Sequence, residues 1–249
     1  MNQPTLEKLN ALRLTKMAEA WQLQAKDATT SELSFDDRLA LLVDAEYLAR
    51  DNRKLARLLK DAALRIPSAC LEDADTAVGR GLDRGMLRQL ASCTWIGEHL
   101  NVLVTGPTGV GKSYLASALG QAACRKRMTV LYRRLPRLFD ELALARADGS
   151  YARLLARLAK TDLLVLDDFG LGALTEAQRH DLLEVMEDRY GKTATVVTSQ
   201  LPVPKWHEWI GDPTLADAVL DRLVHNAYKL ELRGNSKRKD KAPTPNENP

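Results

Sequence analysis

One eight-residue run, GPTGVGKS at residues 106–113, limits the possible folds of this chain more than any other feature. It fits the phosphate-binding pattern G-x-x-x-x-G-K-[ST] and stands between an apolar stretch, residues 101–105, and a helical segment that opens at Lys112. Glycines let successive backbone N–H groups turn inward around phosphates, and the helix N-terminus adds partial positive charge. Because a chance glycine-rich turn does not require this strand–loop–helix context, we predict that the chain binds a nucleoside triphosphate.

The loop motif predicts a role for each of several side chains. Lys112 is expected to reach the β- and γ-phosphates and to act in catalysis, and the hydroxyl of Ser113 is expected to hold Mg²⁺. The residues expected to contact the nucleotide are Gly106, Pro107, Thr108, Gly109, Val110, Gly111, Lys112, Ser113 and Tyr114.

A second apolar run, residues 162–168 (DLLVLDD), ends in two carboxylates. A continuous apolar run is typical of a buried parallel strand, and ligand groups lie at the carboxyl end of such strands. Asp167 is expected to coordinate Mg²⁺, directly or through water, and Asp168 to orient and deprotonate the attacking water. A strand that merely ends in a solvated Asp-Asp turn is the alternative, which the upstream loop disfavours.

Two further catalytic roles have candidates near the end of the chain. A strand at residues 194–199 is followed by Gln200, and either Gln200 or Ser199 is expected to position the attacking water. Arg222, on a helix before the last strand, is expected to stabilise charge on the γ-phosphate. If Arg222 acts in trans, the active site exists only between two subunits, and an ordered oligomer is part of the mechanism. A surface pair with Asp221 is the alternative.

The spacing of apolar residues changes along the chain and predicts its organisation. Helical spacing dominates the first 66 residues, where Ser34 starts a long helix expected to run to about Leu64, before Pro67. From about residue 100, strands alternate with helices, which predicts an α/β fold with a five-stranded parallel sheet covered on both faces, preceded by a small all-helical N-terminal domain. The predicted strands are residues 101–105, 129–133, 162–167, 194–199 and 228–232. The expected divisions are a helical domain (1–66), a connector (67–99), the core (100–233) and a disordered polar tail (234–249).

Composition is consistent with a cytoplasmic protein that has no membrane association. No apolar stretch approaches the ~20 residues needed to span a bilayer, and the N-terminus lacks the pattern of a signal peptide. Cys70, Cys93 and Cys124 lie far apart without metal-binding spacing, so we expect reduced thiols. The formal net charge is only +3, so any affinity for nucleic acid must come from local clusters.

Two basic clusters are candidates for DNA contact. The first shares one face of the long N-terminal helix and suits a phosphate backbone, although a solvated face or a partner-protein contact remains open. The second follows the second strand, at an edge that can face a central channel in an assembly; solvated arginines or arginines facing the nucleotide are its alternatives. The first cluster comprises Arg50, Arg53, Lys54, Arg57 and Lys60, and the second comprises Arg133, Arg134 and Arg137.

In their order along the chain, these motifs resemble AAA+ ATPases of the helicase-loader branch. They resemble more closely the IstB-like family, the ATP-binding helper proteins of bacterial insertion sequences. The resemblance covers nearly the whole chain and includes strings without a generic folding rationale. Those strings are residues 12–20, 35–46, 101–113, 198–203, 206–207 and 211–218.

The resemblance implies an AAA+ P-loop NTPase core with ATP and Mg²⁺ as its ligands. It also implies an oligomer that assembles on double-stranded DNA with little sequence preference, bends it, and recruits and stimulates the transposase of the same element. Asp168 takes the place of the glutamate found in most AAA+ proteins, and the family shares this aspartate, which implies a slow ATP-driven timer. A helical lid is expected to be missing. A replicative helicase loader that prefers single strands and a small-molecule kinase are the alternatives, although no paired arginines of a kinase lid follow Gln200.

Overall fold

The computed structural model of the protein describes residues 3–74 and 81–235. The chain divides into two compact units, Met1–Arg57 and Leu58–Pro249. This division falls within a long helix, whereas the sequence places the boundary after that helix, at residue 66. Beyond residue 235 the predicted polar tail lies outside the described residues. In the described part of the chain, no helix is both long and apolar enough to cross a lipid bilayer.

The first unit is helical, as the sequence predicts. Its capping contacts come from side chains: buried Glu46 accepts hydrogen bonds from the backbone N–H groups of Lys16 (2.8 Å) and Met17 (3.2 Å), and Ser34 Oγ accepts one from the N–H of Asp37 (3.2 Å). The helices are α1 (Gln3–Ala11), α2 (Thr15–Gln24) and α3 (Phe35–Ala62), the last of which continues into the second unit.

The long helix α3 ends slightly earlier than predicted. Its last residue is Ala62, and the next residue, Ala63, adopts a left-handed conformation with φ 51°. This conformation stops the helix before Pro67 can act, so the predicted end at about Leu64 is two residues late. The backbone turn places Leu64 and Arg65 on the second unit.

The second unit is an α/β fold built on a five-stranded, all-parallel sheet with the order β2-β3-β4-β1-β5. The five predicted strands are confirmed with ends that shift by at most two residues, because buried parallel strands are continuous apolar runs. The order also places β4, the strand that precedes Gln200, between the strand that leads into the phosphate loop and the strand that carries Asp167 and Asp168. The strands are β1 (Asn101–Thr105), β2 (Val130–Arg134), β3 (Leu163–Phe169), β4 (Ala194–Ser199) and β5 (Ala227–Glu231).

Helices cover the sheet. One face packs through Leu103, Leu164 and Val197 against a core formed by helices α7 to α11. Since successive strand residues point to opposite faces, the alternate residues face the other side, and α6 contacts four of the strands. The helices are α4 (Arg84–Ala91), α5 (Thr94–Gly97), α6 (Lys112–Arg125), α7 (Leu135–Asp148), α8 (Tyr151–Lys160), α9 (Glu176–Arg189), α10 (Trp206–Ile210) and α11 (Pro213–Val224).

Candidate nucleotide site

The glycine-rich run forms the connection between β1 and α6, at the carboxyl edge of the sheet. Gly106 has φ 143°, and a Cβ there would lie 2.2 Å from the carbonyl oxygen of Leu232. Gly111 has φ 109° and is the N-cap of α6, whose first residue is Lys112. Both conformations favour glycine, so the backbone geometry of the loop depends on these residues. The arrangement is the strand–loop–helix context that a phosphate-binding loop requires.

Polar side chains converge on this loop from two directions. Lys112 Nζ donates to the carbonyl oxygens of Gly106 (2.7 Å) and Pro107 (2.9 Å), so its charge lies over the loop. Thr108 Oγ1 donates to Gln200 Oε1 at 2.7 Å. The two candidates at the end of β4, Ser199 and Gln200, therefore have different partners: Ser199 Oγ donates to the carbonyl of Phe169 and not to the loop. Gln200 is the one that reaches the loop, and its role in positioning water stays a prediction.

Asp167 lies at the centre of the site and is fully buried. Its two oxygens accept hydrogen bonds from Ser113 Oγ at 3.0 and 3.1 Å, and Tyr132 and Thr198 also donate to it. Burial by itself raises the pKa of Asp167, but the hydrogen bonds outweigh it and hold the pKa below its usual value. An ionised carboxylate beside a hydroxyl is an oxygen donor set that suits Mg²⁺, so Ser113 and Asp167 fit the predicted metal role.

Asp168 occupies an irregular position in β3. The pairing with β4 shifts register between Leu166 and Phe169, and Asp168 adopts φ 62°. A bulge of this kind changes the direction of a side chain at a strand end. Asp168 Oδ2 accepts a hydrogen bond from Arg134 Nε at 2.7 Å. Arg134 therefore lies beside the predicted catalytic carboxylate, which fits the alternative that this arginine serves the nucleotide site.

Three residues at the site were missed by the sequence analysis: Arg65, Tyr132 and Thr198. Tyr132 and Thr198 stand on β2 and β4, which flank β3, so a search of the strands beside the Asp-Asp strand would have found them. Thr198 Oγ1 also accepts a hydrogen bond from the N–H of Asp168 at 3.3 Å, which supports the bulge. Arg65 donates to Asp167 Oδ2 at 2.6 Å, and no local pattern distinguishes this arginine from the many others.

A pocket of about 480 Å³ adjoins the loop. Part of its lining is apolar. Tyr114, at the start of α6, also lines the pocket and donates to the carbonyl of Cys70 at 3.3 Å. A pocket with an apolar end and a polar end suits a ligand with a planar base and phosphates. The apolar part is lined by Ile66, Ala74, Leu82, Val110 and Leu232.

Arg222 lies at the opposite edge of the sheet. Its carbonyl accepts a hydrogen bond from the side chain of Asn101, the first residue of β1, at 3.0 Å. The phosphate loop follows the last residue of that strand, so the length of a five-residue strand, roughly 13 Å, separates the two. The guanidinium pairs with Glu187 and not with Asp221, which corrects the alternative of an Asp221–Arg222 pair. Arg222 is therefore remote from the loop of its own subunit.

The predicted DNA-contacting residues fall into two groups. Some are held by carboxylates: Glu46 contacts Arg50 Nε at 2.7 Å and Arg53 Nη2 at 3.5 Å, and Glu141 contacts Arg133 Nε at 3.0 Å. Arg134 is also paired, with Asp168, and Arg50 and Arg53 are exposed despite their contacts with Glu46. The second group is exposed and consists of Lys54, Arg57, Lys60 and Arg137.

The chain matches the family model described as IstB-like ATP binding protein over residues 7–244. A protein of Sinorhizobium fredii described as an insertion sequence ATP-binding protein is 52% identical over 237 residues, which cover 95% of this chain and 96% of that protein. A Pseudomonas fluorescens protein of insertion sequence IS1162, also described as ATP-binding, is 52% identical over 202 residues, covering 81% and 87%. The crystal structure of the DnaC helicase loader is similar with a TM-score of 0.54 at 18% identity, covering 66% of this chain and 97% of that one. The likeness to DnaC concerns the fold alone.

Proposed function

Because the chain belongs to the IstB-like ATP-binding family, whose members include insertion-sequence proteins, we propose that it is the ATP-dependent, DNA-binding helper of a transposase. The family match and the insertion-sequence relatives support an ATPase role in transposition. In the proposal, subunits assemble on double-stranded DNA without sequence preference, bend it, and recruit and stimulate the transposase of the same element. This work takes place on DNA in the bacterial cytoplasm.

The observation that carries the proposal is the division of the predicted catalytic residues between two edges of the sheet. Lys112, Asp167, Asp168 and Gln200 stand together at the carboxyl edge, whereas Arg222 lies near the start of β1. In the proposal, the nucleotide site of each subunit lacks Arg222, and Arg222 has no phosphate to bind within its own subunit. Docking the arginine of one subunit onto the site of the next completes the site and makes ATP part of the interface.

Each residue of the site has a step in the proposed hydrolysis. Loop N–H groups and Lys112 hold the phosphates, while Ser113 and Asp167 would hold Mg²⁺, which offsets phosphate charge when bound. Gln200 orients the attacking water, and Asp168 accepts its proton. Arg134 and Arg65 both contact Asp168 Oδ2, so we assign proton acceptance to Oδ1. Arg222 of the neighbouring subunit stabilises charge on the γ-phosphate.

The oligomer explains how weak DNA contacts suffice. Many phosphate contacts on one assembly raise avidity without reading bases. Bending a site of ~20–30 base pairs costs of order 1–6 kcal/mol, which these contacts must exceed. Loss of the γ-phosphate after hydrolysis removes the contact between subunits and releases the DNA.

We predict that DNA binding requires ATP and the lysine of the loop. Wild-type protein is expected to bind a ~50 base-pair duplex of any sequence tightly with ATP, and weakly with ADP or without nucleotide. Lys112→Ala removes charge-assisted contacts to phosphate, so ATP affinity falls roughly 10–100-fold and ATP-dependent DNA binding is lost. Fluorescence anisotropy with duplex and single-stranded probes of equal length measures both effects.

The matched control is Lys126→Ala, which removes an exposed lysine at the other end of α6 and is expected to behave as wild type. A preference for single strands, or DNA binding that ignores the nucleotide, would instead indicate a helicase loader. ATP turnover that DNA does not change would favour the small-molecule kinase. Either result contradicts the proposed helper.

Among the predicted DNA contacts, Lys54 and Arg57 are expected to matter most on the N-terminal helix. All four basic residues are exposed, but Glu46 pairs with Arg50 and Arg53 and offsets part of their charge. The double variant Lys54→Ala/Arg57→Ala should weaken duplex binding equally for unrelated sequences. It should also reduce the slope of log affinity against log salt by roughly two per bound subunit, because each neutralised phosphate releases counterions.

A salt titration of wild type and of this double variant measures the slope. Arg153→Ala/Arg157→Ala, two exposed arginines on α8, is the control for loss of charge alone. If both double variants change the slope equally, the assignment to the N-terminal helix is wrong. Exposed Arg137, at the start of α7, is the proposed contact from the second cluster, while Arg133 is held by Glu141.

A further inference from the structure

Arg65 is a cation inside the nucleotide site to which no sequence motif assigns a role. Its Nη1 lies 2.6 Å from Asp167 Oδ2, 3.4 Å from Ser113 Oγ and 3.5 Å from Asp168 Oδ2. These are the residues to which the proposed function assigns the metal and the base, so the inference rests on that function. The Arg65 side chain is 35% exposed and lines the pocket. It therefore has room to move within the site.

The backbone beside Arg65 is held in place by α6. The N–H of Ile66 donates to Ser117 Oγ at 3.3 Å, and Leu64 packs so closely on Gly120 that a Cβ there would lie 2.7 Å from its side chain. Because both neighbours of Arg65 are anchored, a change of charge at the site moves its side chain and leaves its backbone in place.

The position of Arg65 conflicts with metal binding at Asp167. A magnesium ion held by Asp167, directly or through water, would lie close to the guanidinium, and two cations at one carboxylate repel each other. Asp167 does not depend on Arg65, since Tyr132 and Thr198 also donate to it. Asp168 is already paired with Arg134. Phosphate is therefore the anion that can receive Arg65 when a metal-bound nucleotide enters the pocket.

We propose that Arg65 is a phosphate ligand that makes the site prefer a nucleoside triphosphate to a diphosphate. When a metal-bound triphosphate is present, the guanidinium leaves Asp167 and binds the terminal phosphate, for which its planar fork is suited. With a metal-bound diphosphate, Arg65 is displaced from Asp167 in the same way, but no terminal phosphate is present to receive it. A single subunit thereby selects ATP over ADP before Arg222 of a neighbour takes part.

The test is the ratio of affinities for a non-hydrolysable ATP analogue and for ADP, measured by calorimetry with Mg²⁺ and without DNA. Arg65→Ala is expected to lower affinity for the ATP analogue about ten-fold or more and not to lower affinity for ADP. Arg125→Ala is the matched control: this arginine ends α6 and pairs with Glu72 on the surface, and neither affinity should change.

An equal loss for both nucleotides would show that Arg65 only maintains the fold of the site, and an unchanged ratio would show that it does not bind the terminal phosphate. Either result overturns the inference while wild type still binds ATP. Wild type that binds neither nucleotide would overturn the proposed function instead. If Arg65→Ala does not fold, Arg65→Gln keeps a hydrogen-bond donor for Asp167 without the charge, and the same loss of ATP preference is expected.

Discussion

Arg222→Ala is expected to lower ATP turnover by roughly 10³–10⁵, the effect of removing an arginine that stabilises phosphoryl-transfer charge. Nucleotide affinity of the isolated subunit should stay unchanged, because Arg222 lies at the far end of β1 from the loop. Steady-state phosphate release on duplex DNA measures the first quantity, and calorimetry at low protein concentration measures the second.

Mixing variants shows whether Arg222 acts across subunits. Lys112→Ala and Arg222→Ala are each inactive, but a mixed assembly contains interfaces at which an intact Lys112 meets an intact Arg222. Turnover should therefore return on mixing. Glu187→Ala is the matched control, since it removes the partner of Arg222 and keeps the arginine. Mixing that restores nothing, with both variants folded, contradicts action in trans.

Asp168→Asn is expected to lower turnover by roughly 10²–10⁴, the usual contribution of a general base. Asparagine tolerates the left-handed conformation at φ 62°, so the bulge is kept and ATP binding persists. The ATP-bound assembly then hydrolyses ATP too slowly to release DNA, so its complex with duplex DNA should last longer than that of wild type. Single-turnover phosphate release and the dissociation rate of labelled DNA measure the two effects.

Asp162→Asn provides the control for this prediction. Asp162 precedes the other end of β3, where it accepts hydrogen bonds from the N–H and hydroxyl of Thr129, both at 2.7 Å. Its loss should reduce stability without stopping turnover in the folded protein. Turnover by Asp168→Asn at the wild-type rate would contradict the assignment of Asp168 as the general base.

The sequence predicts the parts of the site that are encoded locally. The phosphate loop, Asp167 and the strand ends are read from short runs, because glycine conformations and continuous apolar strands leave a local pattern. The Glu46–Arg50 ion pair could also be predicted from the sequence, since its members are four positions apart on one helix.

The remaining features depend on contacts between distant segments. Arg65 and Asp167 are 102 positions apart, and only the packing of the turn after α3 on α6 brings them together. Arg134 joins Asp168 because β2 and β3 are neighbours in the sheet. The bulge at Asp168 comes from the register of β3 against β4, which no run of apolar residues specifies.

The location of Arg222 near the start of β1, with the phosphate loop at its end, has a consequence for symmetry. In the proposed assembly, an arginine at one edge of the sheet serves a nucleotide at the other edge of the next subunit, which would make a head-to-tail contact between two different surfaces. Such heterologous contacts do not close after two copies; they give a ring if the rotation per subunit divides a full turn and a helix if it does not. If subunits assemble on DNA as proposed, the rotation relating successive subunits decides how much DNA one assembly follows.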